Sequence, residues 1–173
     1  MKKYIIIFII VAVLIIAFTT HRISPTIMII TSPSFKNNEF IPAKFSCEGG
    51  NINPELQIQN VPENTKSLAL IMHDPDAPMP GGFTHWVVWN IDPKTSTIKE
   101  ESVPPGAIEG KNSRAMGYTG PCPPPGKPHR YFFKLYALNS RLDLAEGSTK
   151  SALETEIKSS IISETELIGL YKR

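Results

Sequence analysis

From residue 25 onward the apolar positions fall in short runs separated by proline, glycine and asparagine. The runs predict strands over 26–31, 43–47, 56–59, 67–73, 84–91 and 130–138, punctuated by "SPSFKNN", "GGNINPE", "VPENTK" and "NSRLD". Short strands with such breaks predict a mostly β chain, an antiparallel sandwich or barrel. "SLALIMH" and "HWVVWNI" are almost wholly apolar, which predicts central strands covered on both faces. "YFFKLYAL" reads similarly, with Lys134 reaching out. One helix is expected in "TKSALETEIKSSIIS", where Leu153, Ile157 and Ile161 recur every fourth position and Ser151 with Glu154 fits a capping box. The tail "ELIGLYKR" reads as a last strand.

The first residues follow a different pattern. Lys2 and Lys3 precede an unbroken apolar run from Tyr4 to Phe18. The run is short for a spanning helix and suits a signal-peptide core, although "AFTTHR" is a weak cleavage site. Residues 1–24 are therefore expected to be a signal peptide or a retained N-terminal membrane anchor, and 25–173 one domain. Either alternative places that domain outside the cytoplasm, whether periplasmic, secreted or tethered to the membrane. The whole chain carries 18 Lys+Arg and 16 Asp+Glu, and three of the bases lie before residue 25. The remaining domain is close to neutral, a poor match to nucleic acid. Two cysteines, Cys47 and Cys122, can pair in an oxidising compartment. A domain this large does not need a bridge to form its core, so unpaired, half-buried thiols are the expectation.

Chemistry concentrates in two loops. "HDPDAPMPGGFTHW" puts Asp74 and Asp76 among three prolines, ahead of Phe83, His85 and Trp86. The 92–129 segment is long for a connection inside a domain, which marks it as functional. It ends in "GPCPPPGKPHRY", whose prolines lower the entropy cost of holding one shape. Each polar residue also has a plain structural reading. The aspartates can make turn bonds, His85 can be a satisfied core histidine, His129 and Arg130 can be a solvated strand start, and Tyr118 and Tyr131 can simply pack. Convergence favours a site: the end of 67–73, the start of 84–91 and the start of 130–138 meet if the strands pair antiparallel.

"MHDPDAP", "HWVVWNI", "GPCPPPGKPHRYFFKLYAL" and "FSCEGGNINPEL" resemble the phosphatidylethanolamine-binding protein family, also called the Raf kinase inhibitor family, in its bacterial and archaeal (YbhB/YbcL-like) branch. The resemblance covers roughly residues 26–173. It implies a large antiparallel sheet with a smaller one packed on it, a C-terminal helix and short peripheral helices. It also implies a cleft for phosphate-like anions, including phospholipid head groups, at Asp74, Asp76, Phe83, His85, Gly120, Pro121, His129 and Tyr131. An extra residue in the proline loop leaves open which proline lines it. A carboxylate belongs one step behind an anion: Asp74, accepting a ring N–H from His85 or His129, would fix the tautomer and favour the imidazolium. The other ring nitrogen, the Tyr131 hydroxyl and backbone N–H groups around Gly120 would then face the ligand, and binding should weaken as pH rises through the histidine pKa.

Two other function classes fit less well. Asp74, Asp76, His85 and His129 are conceivable metal ligands or acid–base groups, yet no G-x-S-x-G or H-E-x-x-H occurs. No enzyme activity, cofactor or metal is therefore expected. Family members also act as kinase or protease inhibitors. Outside the cytoplasm a protease is the more reachable partner, and the bacterial branch often forms homodimers.

Overall fold

Period-two alternation along three long strands sets the architecture. The computed structural model describes residues 27–173, so the predicted signal or anchor segment and Thr26 of the first predicted strand lie outside it. In chain order the strands are β1 (Ile29–Thr31), β2 (Glu39–Phe40), β3 (Leu56–Gln59), β4 (Ser67–Asp74), β5 (Phe83–Ile91), β6 (Thr97–Ile98), β7 (Ile108–Glu109), β8 (His129–Leu138) and β9 (Ile161–Tyr171). Among the described residues there is one α-helix, α1, spanning Lys150–Ile157.

Among the described residues two sheets form a sandwich and no barrel closes. The small sheet runs β1-β3-β6 and the large one β2-β9-β8-β4-β5-β7. β4 is central in the large sheet, as its apolar run predicts. Leu68, Leu70 and Met72 of β4, Trp86 and Val88 of β5, and Tyr131, Phe133 and Leu135 of β8 point between the sheets. Met28, Ile30, Leu56 and Ile58 meet them from the small sheet. The opposite parity, Ala69, Ile71, Val87 and Trp89, packs against Leu153 and Ile157 of α1. Both faces are thus apolar because both are covered.

Four expectations change. The predicted 43–47 strand is a 3-10 turn, Ala43–Phe45, followed by a loop. Pro42 starts it, Phe45 N donates to Pro42 O and Ser46 N to Ala43 O. Ile41 and Phe45 are the buried positions, a spacing of four that suits a helical turn and not a strand. The cap of α1 is Thr149, whose hydroxyl accepts from Ala152 N at 3.3 Å. Ser151 lies inside the helix, and Glu154 pairs instead with Lys150. Ile161 leaves the helix stripe and opens β9, 40% exposed. Finally, β2 joins the edge of β9 in parallel, so the sheet is not purely antiparallel.

Candidate functional site

The inner-face parity of the large sheet continues past the end of the core. β4 places Leu68, Leu70 and Met72 inward and then, two residues on, Asp74. β8 enters with His129 and Tyr131 ahead of Phe133 on the same alternation. β4 pairs with β5 from Leu68↔Ile91 to Asp74↔Phe83, and with β8 from Ser67↔Leu138 to His73↔Phe132. The three junctions therefore meet at one end of neighbouring strands. Between Met72↔Trp86 and His73↔Thr84 the β5 register skips His85, which is the extra residue of a β-bulge. Bulges turn a side chain out of the regular alternation, and this one gives His85 to the cleft.

The cleft has a volume of about 390 Å³. Asp74, Phe83, His85, Gly120, His129 and Tyr131 line it, together with Ala77, Pro78 and Met79 of the 73–83 loop. Its far wall is Ser113, Arg114, Thr119, Cys122, Pro123 and Pro124. Two of the expected residues are outside this lining. Asp76 points to β8, where Oδ2 accepts from Arg130 N and Nε (both 2.9 Å) and Oδ1 from Nη2 (2.7 Å). That pairing holds the Asp76 carboxyl down at about 2. Arg130, at the solvated start of β8 as expected, is also the clasp of the 73–83 loop. Pro121 is buried behind the wall and its carbonyl accepts from Cys47 N; Pro123 and Pro124 are the prolines that line the cleft.

Asp74 is 3% exposed and makes both bonds considered for it. Oδ1 accepts from Asp76 N at 2.8 Å, closing the turn, and Oδ2 accepts from His129 Nδ1 at 2.8 Å. A carboxylate can only accept, so Nδ1 of His129 carries the hydrogen and Nε2 is the atom left for a ligand. His85 is different. Its Nδ1 donates to Thr119 O at 2.6 Å, and Asp74 is not its partner. Burial pushes its pKa down to about 4, against the pull of the Thr119 carbonyl and the Asp74 charge. The expected imidazolium is therefore not formed at His85, because desolvation outweighs the distant carboxylate. The Tyr131 hydroxyl is buried and makes no well-aligned bond in the protein; burial, and then the nearby Asp74 charge, raise its pKa. Gly120 does not offer its N–H either, since that group donates to Asn51 Oδ1 at 2.8 Å. Gly120 is needed for space: a Cβ there would collide with Phe45 O and sit 2.9 Å from Ser46 Cα.

The wall is braced from behind. Contrary to the expectation of free thiols, Cys47 and Cys122 form a disulfide with Cα atoms 5.4 Å apart. The "FSCEGG" loop and the proline loop also meet through Cys47 N and Gly120 N, which puts the two cysteines within reach. Arg173 Nε donates to Pro123 O at 2.6 Å, so the chain end grips the same segment.

Sequence reasoning missed Arg114. Asn112 creates its position: Oδ1 accepts from Arg114 N and Ala115 N, while Nδ2 donates to Gly117 O and Thr119 Oγ1. The guanidinium stands 5.5 Å from the Phe83 ring centre. Among the described residues it has no carboxylate partner. It is the one arginine among five basic residues of the long 92–129 segment, a weak signal in sequence. Nor do the described residues hold any group of three or more His, Cys, Asp or Glu arranged for a metal ion.

Comparison with known proteins agrees with this architecture. A family model described as phosphatidylethanolamine-binding protein matches residues 31–172. A UPF0098 protein of Pyrococcus horikoshii is 47% identical over 82% of this chain and 75% of its own length. One from Aquifex aeolicus is 44% identical over 92% of this chain and 97% of its own. Among solved structures, a putative homologue from Chlamydia trachomatis superimposes with a TM-score of 0.81 at 39% identity, covering 86% of this chain and 99% of that one. Escherichia coli YbcL gives 0.80 at 32%, covering 84% and 98%. Carboxypeptidase Y inhibitor in complex with its cognate proteinase shares the fold alone, at 19% identity and a TM-score of 0.54. With the matched model spanning both sheets and all three junctions of the cleft, the chain belongs to the phosphatidylethanolamine-binding protein family.

Proposed function

We propose that the cleft binds a small phosphate-bearing anion and that the protein works by binding, not by catalysis. The observation that carries this is Arg114: a guanidinium in the cleft lining that makes no ion pair among the described residues, in the same lining as two imidazoles whose Nδ1 atoms are bonded within the protein and whose Nε2 atoms are left for a ligand. Such a cation is balanced by an incoming oxyanion, and a charge-assisted pair in a half-enclosed cleft outweighs a solvent-exposed one. The apolar lining from Pro78, Met79, Phe83, Pro123 and Pro124 favours a ligand with carbon next to its phosphate. An extracytoplasmic setting is supported by the Lys2-Lys3 apolar leader and by the Cys47–Cys122 bridge. The test is calorimetric titration of inorganic phosphate. The wild type should bind one equivalent, and Arg114→Gln should bind about tenfold more weakly with an unchanged melting temperature, because Arg114 is exposed. Equal affinity in the two proteins would contradict the reading.

A further inference from the structure

We propose that His85 is a hydrogen-bond acceptor toward the ligand, so the cleft selects oxyanions that carry their own proton, namely phosphate and phosphomonoesters, over sulfate and phosphodiesters. The inference rests on the anion cleft proposed above and deepens it.

The argument starts from the tautomer. Thr119 O lies 2.6 Å from His85 Nδ1, and a carbonyl oxygen only accepts. Nδ1 therefore carries the hydrogen. In a neutral ring that leaves Nε2 with a bare lone pair. The ring is fixed in this pose. Its Nδ1 is tied to the loop, and Thr119 N in turn donates to His85 O, so strand and loop are bonded in both directions. The Phe83 ring stands 4.6 Å away and the Tyr131 ring 5.1 Å away, nearly edge-on. The ring cannot flip to present a donor without breaking the Thr119 bond. Being the bulge residue, His85 sits in a backbone irregularity whose visible effect is to put this ring in the cleft wall.

Neutrality follows from the surroundings. His85 is 4% exposed, and burial is the largest influence on it. The charged groups nearest it divide. Asp74 favours the imidazolium, while His73 and Arg114 oppose it. Tyr131 faces it as an uncharged phenol, its ionisation made harder by burial. His129 completes the cleft from β8, tied to Asp74.

A lone pair aimed at an anion has a chemical consequence. Against a bare anionic oxygen it repels. Against a P–O–H group it accepts a hydrogen bond. Arg114 meanwhile donates to the other oxygens. Phosphate and its monoesters keep at least one P–O–H in their monoanionic form. Sulfate carries none near neutrality, and a phosphodiester never does. Sites built to bond a particular hydrogen reject an analogue lacking it more strongly than apolar contacts discriminate size.

Calorimetric titration of the full-length protein at pH 5, where phosphomonoesters (second pKa about 6) are mostly monoanionic and His85 is still mostly neutral, with inorganic phosphate, methyl phosphate, dimethyl phosphate and sulfate tests this. Phosphate and methyl phosphate should bind at least about tenfold more tightly than sulfate and dimethyl phosphate. His85→Phe keeps an aromatic ring between Phe83 and Tyr131 but removes the lone pair, so it should bring the four affinities close to parity. A purely structural role for His85 would instead weaken all four alike. Should that variant not fold, the wild-type series decides alone. Equal binding of phosphate and sulfate by the wild type overturns the acceptor role and leaves the anion cleft standing. Failure of all four anions to bind overturns the cleft and this inference together.

Discussion

Asp74 and His85 show how much one residue's surroundings decide. Asp74 was readable as turn former or as imidazole partner, and it is both, because a carboxylate has two oxygens and each meets a different donor. His85 was expected to share that carboxylate. The bulge in β5 turned it to the Thr119 carbonyl, and no residue spacing announces a bulge. Burial then sets its titration. Its folded pKa, about 4, lies below the ordinary 6.5. The unfolded chain therefore takes up a proton that the folded one refuses. The resulting stability is fully present above pH 6.5 and is lost as pH falls through about 4, on the order of 3 kcal/mol over that window. Urea unfolding of wild type and His85→Phe at pH 7.5 and pH 4 checks this. The wild type should lose more stability on acidification than the variant, and parallel losses would contradict the desolvation account.

At the scale of elements, legibility followed regularity. The long runs gave β4, β5 and β8 to within one residue, and the tail strand was anticipated in part. The 43–47 segment alternates apolar and polar residues like a strand. Pro42 and the tie to the proline loop made it a turn instead, both being tertiary demands that periodicity does not carry. The disulfide was misjudged for a related reason. Stability did not require it, but the cleft wall has little regular structure of its own and depends on ties from outside. Replacing Cys122 with serine should cost about 4 kcal/mol, as expected for cross-linking residues separated by 75 positions. It should also weaken phosphate binding, because Pro123 and Pro124 would hold their place only through Arg173 and the loop contacts. Chemical unfolding with and without reductant, alongside phosphate titration, measures both. Full affinity in the reduced protein would show that the wall stands without the bridge.

For the whole molecule, the sandwich and the convergence of three junctions were legible because alternation fixes which face each residue takes. Asp74, His129 and Tyr131 share the parity of the core residues beside them, so they emerge where the core ends. Arg114 was not legible, since its place depends on Asn112 folding an irregular loop. The central claim is that the molecule places a carboxylate behind an anion site, to hold imidazole and loop in position. Phosphate titration of Asp74→Asn tests it most directly. An amide has one accepting oxygen, so it can serve Asp76 N or His129 Nδ1 but presents an NH₂ group to the other. The account predicts phosphate binding several-fold weaker than wild type at neutral pH, although a negative charge has been removed. Tighter binding by Asp74→Asn would contradict it.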